Sequence, residues 1–318
     1  MDKKDAKKFE ELYLKEDAYA MRTFEEIEKE LQRCRNFYVN ELSEERKKIN
    51  FEGEYKSIFQ LNAFDKPFAE KLIRDTDLGS FSYSSRSWIL TNGMYQAYKS
   101  NDMSILKNCL HTNNRLTYGH TLTTISGYNH SGSFEKVIYA FADCDIELVK
   151  KYLPKVHGLA DKKTYPFFRP SCNLIMGLIY ENAEWIEEAR VQSAKFCGQK
   201  SSAKNDVLVV KYLLALSEKD MLNACALLQE IADNYRKING LFNFKNEFLK
   251  FFGVYVHGLY HIAHFVLSQE NFNKLAMPEH SIFWKEFELF TEKVNFTKGN
   301  LVLNLDNNLK TVRRLFDE

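Results

Sequence analysis

Glycine and proline are scarce in this chain, and their scarcity limits the folds that it can adopt. The 318 residues include only 13 Gly and 5 Pro. Folds built from many strands need frequent turns, which these two residue types favour. Apolar residues make up 45% of the chain, enough for a substantial core. We therefore predict an all-α fold of stacked helical hairpins, arranged either as a degenerate solenoid or as an irregular helical bundle.

A one-sided apolar stripe predicts a long N-terminal helix over residues 5–49. From Ala20 to Leu42, apolar residues recur every three or four positions, the spacing of one helix face. Glu, Lys and Arg occupy most positions between them, as expected of a solvated face. We interpret residues 1–85 as an N-terminal helical segment packed on the main body. The alternative is a short coiled-coil dimer.

Residues 86–318 form the second predicted domain, a series of helical hairpins. A pattern recurs in which an apolar helix ends, a few polar residues follow, and a second helix starts after an acidic residue. An acidic residue there can cap the first amides of the helix or face the positive end of its dipole. These acidic residues, spaced 43, 39 and 36 positions apart, are Asp102, Asp145, Glu184 and Asp220.

Two segments rich in turn residues, 77–85 and 111–133, are predicted to be loops, with a helix as the alternative for residues 122–125. Long loops within a compact helical protein often carry function. The second segment is rich in His, Tyr and Asn, which can contact a partner without long flexible side chains. The candidate partner-binding residues in it are Tyr118, His120, Tyr128 and His130.

The balance of charge and the distribution of apolar residues restrict the classes of partner. The formal net charge is +1, from 44 basic and 43 acidic residues. Nucleic-acid binding usually requires a clear basic excess, so we expect no nucleic-acid partner. No segment approaches the roughly 20 apolar residues of a membrane span, and no signal-like stretch follows the N-terminal Met-Asp-Lys-Lys. We therefore expect a cytoplasmic protein without a membrane partner.

Sequence motifs of catalysis and cofactor binding are missing. The chain has no Gly-x-Gly-x-x-Gly, no phosphate-binding Gly-Lys-Ser/Thr loop, no Gly-x-Ser-x-Gly and no His-Glu-x-x-His. Its six cysteines include no Cys-x-x-Cys pair, and we predict that they are buried, reduced thiols. We therefore predict no catalytic residues, no cofactor and no metal, and a protein that is not an enzyme.

One histidine spacing needs a separate interpretation. His257, His261 and His264 stand at i, i+4 and i+7 of a predicted helix and hence on one face. Two histidines at i, i+4 can bind zinc, but such sites usually recruit a carboxylate as well. We interpret the three as hydrogen-bonded packing residues. The alternatives are contact with a partner and a helical metal-dependent enzyme built on these three residues.

Four stretches of the chain, residues 175–189, 206–220, 227–231 and 254–263, contain helical hairpins, the stretch Tyr-Leu-Leu-Ala-Leu-Ser-Glu-Lys-Asp and a later helix with Gly-Leu. In this order they resemble the immunity protein 49 family of bacterial polymorphic toxin systems. The resemblance extends over residues 90–310. No catalytic signature is part of the resemblance.

The resemblance implies a cognate toxin as the partner, neutralised by tight binding in the cytoplasm of the producing cell. The toxin would belong to a contact-dependent or secreted antibacterial system. A second hypothesis is a helical-repeat scaffold or regulator that binds a peptide or protein partner. The oligomeric state stays open, with a homodimer as one outcome.

Overall fold

The computed structural model describes residues 3–15, 23–36, 76–123, 133–160, 166–237 and 246–303. These residues form α-helices, two short 3₁₀ helices and turns, and no strand occurs among them. The prediction of an all-α fold is confirmed. In the same parts of the chain, no helix combines the length and the apolarity needed to cross a bilayer.

The helices of the described residues are numbered here in chain order. They are α1 (Lys3–Lys15), α2 (Phe24–Asn36), α3 (Thr76–Ser100), α4 (Met103–Thr123), α5 (Phe134–Ala142), α6 (Ile146–Tyr152), α7 (Phe168–Ile179), α8 (Ala183–Cys197), α9 (Lys204–Glu218), α10 (Met221–Asn234), α11 (Val254–Val266), α12 (Gln269–Phe272) and α13 (Lys285–Lys293). The chain divides into two compact units. Unit 1 comprises residues 1–15 and 129–298, and unit 2 comprises residues 16–128 and 299–318.

Unit 2 is built around the hairpin of α3 and α4, on which α2 packs. Its buried core cluster comprises Ile27, Ile89, Cys109, Leu116 and Leu303. The chain that follows residue 298 is fixed to α4 by backbone amides. The N–H of Asn300 donates to Asn108 Oδ1 and that of Val302 to Thr112 Oγ1, each at 2.9 Å.

Unit 1 contains the remaining helices, paired as hairpins. Helices α5 and α6, α7 and α8, and α9 and α10 are consecutive partners, while α11 packs along α5 and also contacts α7 and α10. Most residues of α11 are buried, from Val254 to Ala263. This helix therefore lies at the centre of the unit, and its side chains define the site described below.

Several helix boundaries differ from those predicted. The long N-terminal helix expected over residues 5–49 is not observed: the described residues of this region form α1 and α2, which belong to different units. Residues 77–85, predicted to be a loop, lie in α3, and residues 111–123 lie in α4. Helix propensity is a weak determinant that packing often overrides, which explains why turn-rich composition misled here. The boundary expected between residues 85 and 86 falls inside α3.

Three tight turns in unit 1 join consecutive helices in the same way. In each, a residue with positive φ ends one helix, and the Asp or Asn that follows caps the next. The capping oxygen accepts the backbone N–H three residues further on, at 3.0–3.2 Å. The N–H of the capping residue donates to a carbonyl five residues back, as in a Schellman motif. The residue pairs are Cys144 and Asp145, Glu181 and Asn182, and Lys219 and Asp220.

The four acidic residues predicted at helix starts all lie there, three of them as capping residues. Asp145 and Asp220 cap their helices, and Asp102 accepts the Ser104 N–H at 3.0 Å in the corresponding turn of unit 2. Glu184 fulfils the other expected role: it lies in the first turn of α8 and faces the positive end of the dipole, while Asn182 is the capping residue. A side-chain amide oxygen accepts an N–H as well as a carboxylate does, so a cap need not be acidic.

The assignment of Asn182 as the capping residue of α8 predicts different effects for two neighbouring substitutions. We expect Asn182→Ala to lower the free energy of unfolding by about 1 kcal/mol, because the Trp185 N–H loses its acceptor. Glu184→Ala is the control, since this exposed residue only faces the helix dipole, an effect of about 0.3 kcal/mol. Urea unfolding followed by circular dichroism measures both. A larger loss for Glu184→Ala than for Asn182→Ala would contradict the capping assignment.

Gly258 lies where α11 crosses α5. A Cβ at this position would overlap the backbone carbonyl of Ile138. A backbone atom cannot rotate away as a side chain can, so the close approach of the two helices requires glycine here. The helix that carries the buried histidines is thus held directly against α5.

We expect Gly258→Ala to lower the free energy of unfolding by about 1–3 kcal/mol, as in other overpacked interiors. Gly198→Ala is the matched control, because its added Cβ would meet only ordinary contacts, the nearest at 3.6 Å. Its φ of −80° suits alanine, so the control should be neutral or gain up to about 1 kcal/mol. Thermal and urea unfolding distinguish the two, and equal effects would argue against the close approach of α5 and α11.

Candidate functional site

A group of titratable side chains within unit 1 lies between α11 and α13. His257 and His261 stand one helical turn apart on α11, and Glu288 lies on α13. All three have no solvent-exposed surface. Burial of a carboxylate and two imidazoles is costly unless each polar atom has a partner, so their hydrogen bonds determine what the group can do.

The Glu288 carboxylate bridges the two histidines. One of its oxygens accepts a hydrogen bond from His257 Nδ1, and the other lies 2.7 Å from His261 Nε2. From the sequence, a carboxylate is considered only as a further ligand of a metal site, and Glu288 is not identified. A signal was present, because Glu288 falls within the buried stripe of α13, next to Phe287 and three residues before Thr291.

Hydrogen-bond geometry fixes the protonation of His257. Its Nε2 accepts the backbone N–H of Trp284 at 3.2 Å, so this nitrogen carries no proton. Its Nδ1 must then carry the proton that is donated to Glu288. His257 is therefore neutral, and the rings of Phe252 and Phe283 stack on its two sides at centroid distances of 4.6 and 4.4 Å.

His261 has an acceptor at each ring nitrogen and is therefore an imidazolium. Its Nδ1 lies 2.9 Å from the Phe141 carbonyl, and its Nε2 faces Glu288. Burial alone lowers the pKa of His261, but the adjacent Cys144 sulfur and the Glu288 carboxylate outweigh it and raise the pKa to about 10. Burial likewise raises the pKa of Glu288, yet the His261 charge and both histidine hydrogen bonds hold it at about 2.

Cys144 adds a thiol to this group, with its Sγ 3.4 Å from His261 Nδ1. A Cys, a His and an acidic residue in series resemble the arrangement used in nucleophilic catalysis. A general base, however, needs a free lone pair, and His261 Nδ1 already donates to the Phe141 carbonyl. Cys144 is only 4% exposed. The geometry thus supports a closed structural group, with no surface on which a substrate could rest.

The distances between nitrogen and oxygen atoms within the group also fit hydrogen bonds better than shared coordination of a metal ion. Ligand atoms that share a tetrahedral zinc lie about 2.0–2.2 Å from the ion, so their mutual separation exceeds ordinary hydrogen-bond length. His261 Nε2 and Glu288 Oε2 are only 2.7 Å apart. The nitrogens that face Glu288 are donors, and the remaining nitrogen of His257 is used by Trp284.

His264 does not join the other two histidines. Its ring stacks on Phe296 at a centroid distance of 3.6 Å, and its Nδ1 has no hydrogen-bond partner among the described residues. Burial, assisted by the charge of His261, lowers the pKa of His264 to about 4. The packing interpretation therefore agrees with the positions of His257 and His261, while His264 packs as a neutral aromatic ring.

The predicted partner-binding residues are only partly described. Tyr118 lies in α4 rather than in a loop and is 9% exposed, and its burial raises the pKa of its hydroxyl. His120 also lies in α4, but its side chain is outside the described residues, as are Tyr128 and His130. Tyr118 therefore presents little surface to a partner.

The prediction that the cysteines are buried holds for three of the five whose side chains are described. Cys109, Cys144 and Cys172 are buried, whereas Cys197 and Cys225 are partly exposed, and none of the five is in a disulfide. Burial raises the pKa of the Cys109 and Cys172 thiols well above the ordinary range, which favours unreactive, protonated sulfur. The side chain of Cys34 lies outside the described residues.

Comparison with known proteins assigns no function to this site. The family proposed from the sequence remains an expectation, and the helices α7 to α11 are the elements that carry it. In comparisons with family models, curated proteins and solved structures, nothing matches the chain.

Proposed function

We propose that this chain is an immunity protein, which binds a cognate antibacterial toxin and neutralises it by protein–protein contact. The observation that carries the proposal is the enclosure of the titratable side chains at the candidate site. His257, His261, Glu288 and Cys144 have little or no exposed surface and are hydrogen-bonded to one another or to backbone groups. Recognition would then depend on the outer faces of the helices.

The exposed faces of the hairpins in unit 1 support this proposal. Helix α8 presents Glu184, Glu187 and Glu188 to solvent. Arg190 on the same helix bonds Glu218 on α9 at 2.8 Å and links the two helices. A surface held on packed helices loses little conformational entropy on binding, which favours tight complexes. A stable complex would need a standard interface, about 800 Å² on each partner.

Co-expression tests the proposal directly. The chain is produced in a sensitive bacterium together with the product of the neighbouring open reading frame, the candidate toxin. We expect growth to recover and the two proteins to co-purify in a stoichiometric complex. An unrelated helical protein of similar size is the control. Persistent growth arrest, with the chain folded and abundant and no complex recovered, would refute the proposal.

A triple substitution tests the predicted interface. We expect His120→Ala, Tyr128→Ala and His130→Ala together to weaken toxin binding at least tenfold, about 1.4 kcal/mol, as for removal of interface hot spots. Tyr118 is left intact because it is buried and its loss would perturb folding. Leu222→Ala is the control, since this side chain is 86% exposed on α10. Calorimetric titration with unchanged affinity for the triple variant would exclude this segment from the interface.

A further inference from the structure

We draw no further inference here: the strongest candidate, the surface patch in unit 1 where the partly exposed rings of Tyr180 and Trp185 lie beside the exposed carboxylates at the start of α8, carries no proposal because nothing in the structure shows what covers it.

Discussion

Glu288→Ala is expected to be the most destabilising of the substitutions considered, lowering the free energy of unfolding by about 3–5 kcal/mol. The carboxylate is the shared acceptor of His257 and His261, so its removal leaves two buried N–H groups without a partner. The surrounding rings of Phe252, Phe283 and Phe287 cannot replace it. Loss of side-chain volume in a fully buried position adds a cavity term.

Glu292→Ala is the matched control for this prediction. It removes the same chemical group one turn further along α13, from an exposed position. Substitutions at such positions usually change stability by less than about 0.5 kcal/mol. Urea unfolding at pH 7, followed by circular dichroism, compares the two variants with the wild type. A Glu288→Ala variant as stable as Glu292→Ala would show that the buried hydrogen bonds do not form in solution.

The helical class could be predicted from sequence because it depends on local properties. Few glycines and prolines and the three-to-four-residue apolar spacing are visible without knowledge of contacts. The hairpin turns could be placed for a similar reason. The Asp145 and Asp220 caps act on amides only three residues away. Asn182 caps α8 without a negative charge, so the pattern of acidic residues does not include it.

Elements that depend on long-range packing could not be predicted. Residues 77–85 have the composition of a loop, yet they form the first part of α3. The division of the N-terminal region into α1 and α2 is also non-local, because α1 is held by Arg236 and Ser281, more than 200 residues away. Neither contact can be inferred from the apolar periodicity of the first 49 residues.

Only part of the candidate site could be predicted from the sequence. Helical spacing placed His257 and His261 on one face, and their burial on a largely apolar helix was expected. Helical spacing also grouped His264 with them, although it stacks on Phe296 instead. Glu288 and Cys144 reach the histidines from other helices, and no rule based on spacing joins residues so far apart. A carboxylate on the apolar face of α13 was the only available signal.

The His261–Glu288 pair predicts a characteristic dependence of stability on pH. The pKa of His261 is raised from 6.5 to about 10 in the folded protein, so its stabilising contribution is complete below pH 6.5 and is lost as the pH rises towards 10. The pKa of Glu288 is lowered from 4.5 to about 2, so its contribution is complete above pH 4.5 and is lost as the pH falls towards 2. The pair therefore stabilises the folded protein most between pH 4.5 and pH 6.5, where both contributions are complete.

Another histidine acts in the opposite direction within that window. The pKa of His264 is lowered to about 4, so folding disfavours its protonation and stability falls as the pH drops from 6.5 towards 4. The total pH profile therefore mixes the two histidines with every other titrating group. The contribution of the pair is therefore isolated by comparing the free energy of unfolding of the wild type, at each pH, with that of a variant that removes only the ion pair.

Glu288→Gln is that variant, because a glutamine can satisfy every hydrogen bond at the site. Its Oε1 accepts from His257 Nδ1, its amide donates to His261 Nε2, and His261 Nδ1 donates to the Phe141 carbonyl. His261 is then neutral in the folded state. The fold and the packing volume are retained while the buried charges are removed.

We expect the stability difference between the wild type and Glu288→Gln to widen as the pH is lowered from 9.5 to 6. One pKa unit corresponds to about 1.36 kcal/mol, and the difference reports the part of the raised pKa of His261 that depends on Glu288, since the Cys144 sulfur next to His261 is present in both proteins. Urea unfolding at pH 9.5, 8, 7 and 6 measures it, with Glu292→Gln as the exposed control. A difference that stays constant with pH would mean that His261 is neutral in the wild type. In that case Glu288 would itself hold the proton, since both nitrogens of His261 face oxygen atoms.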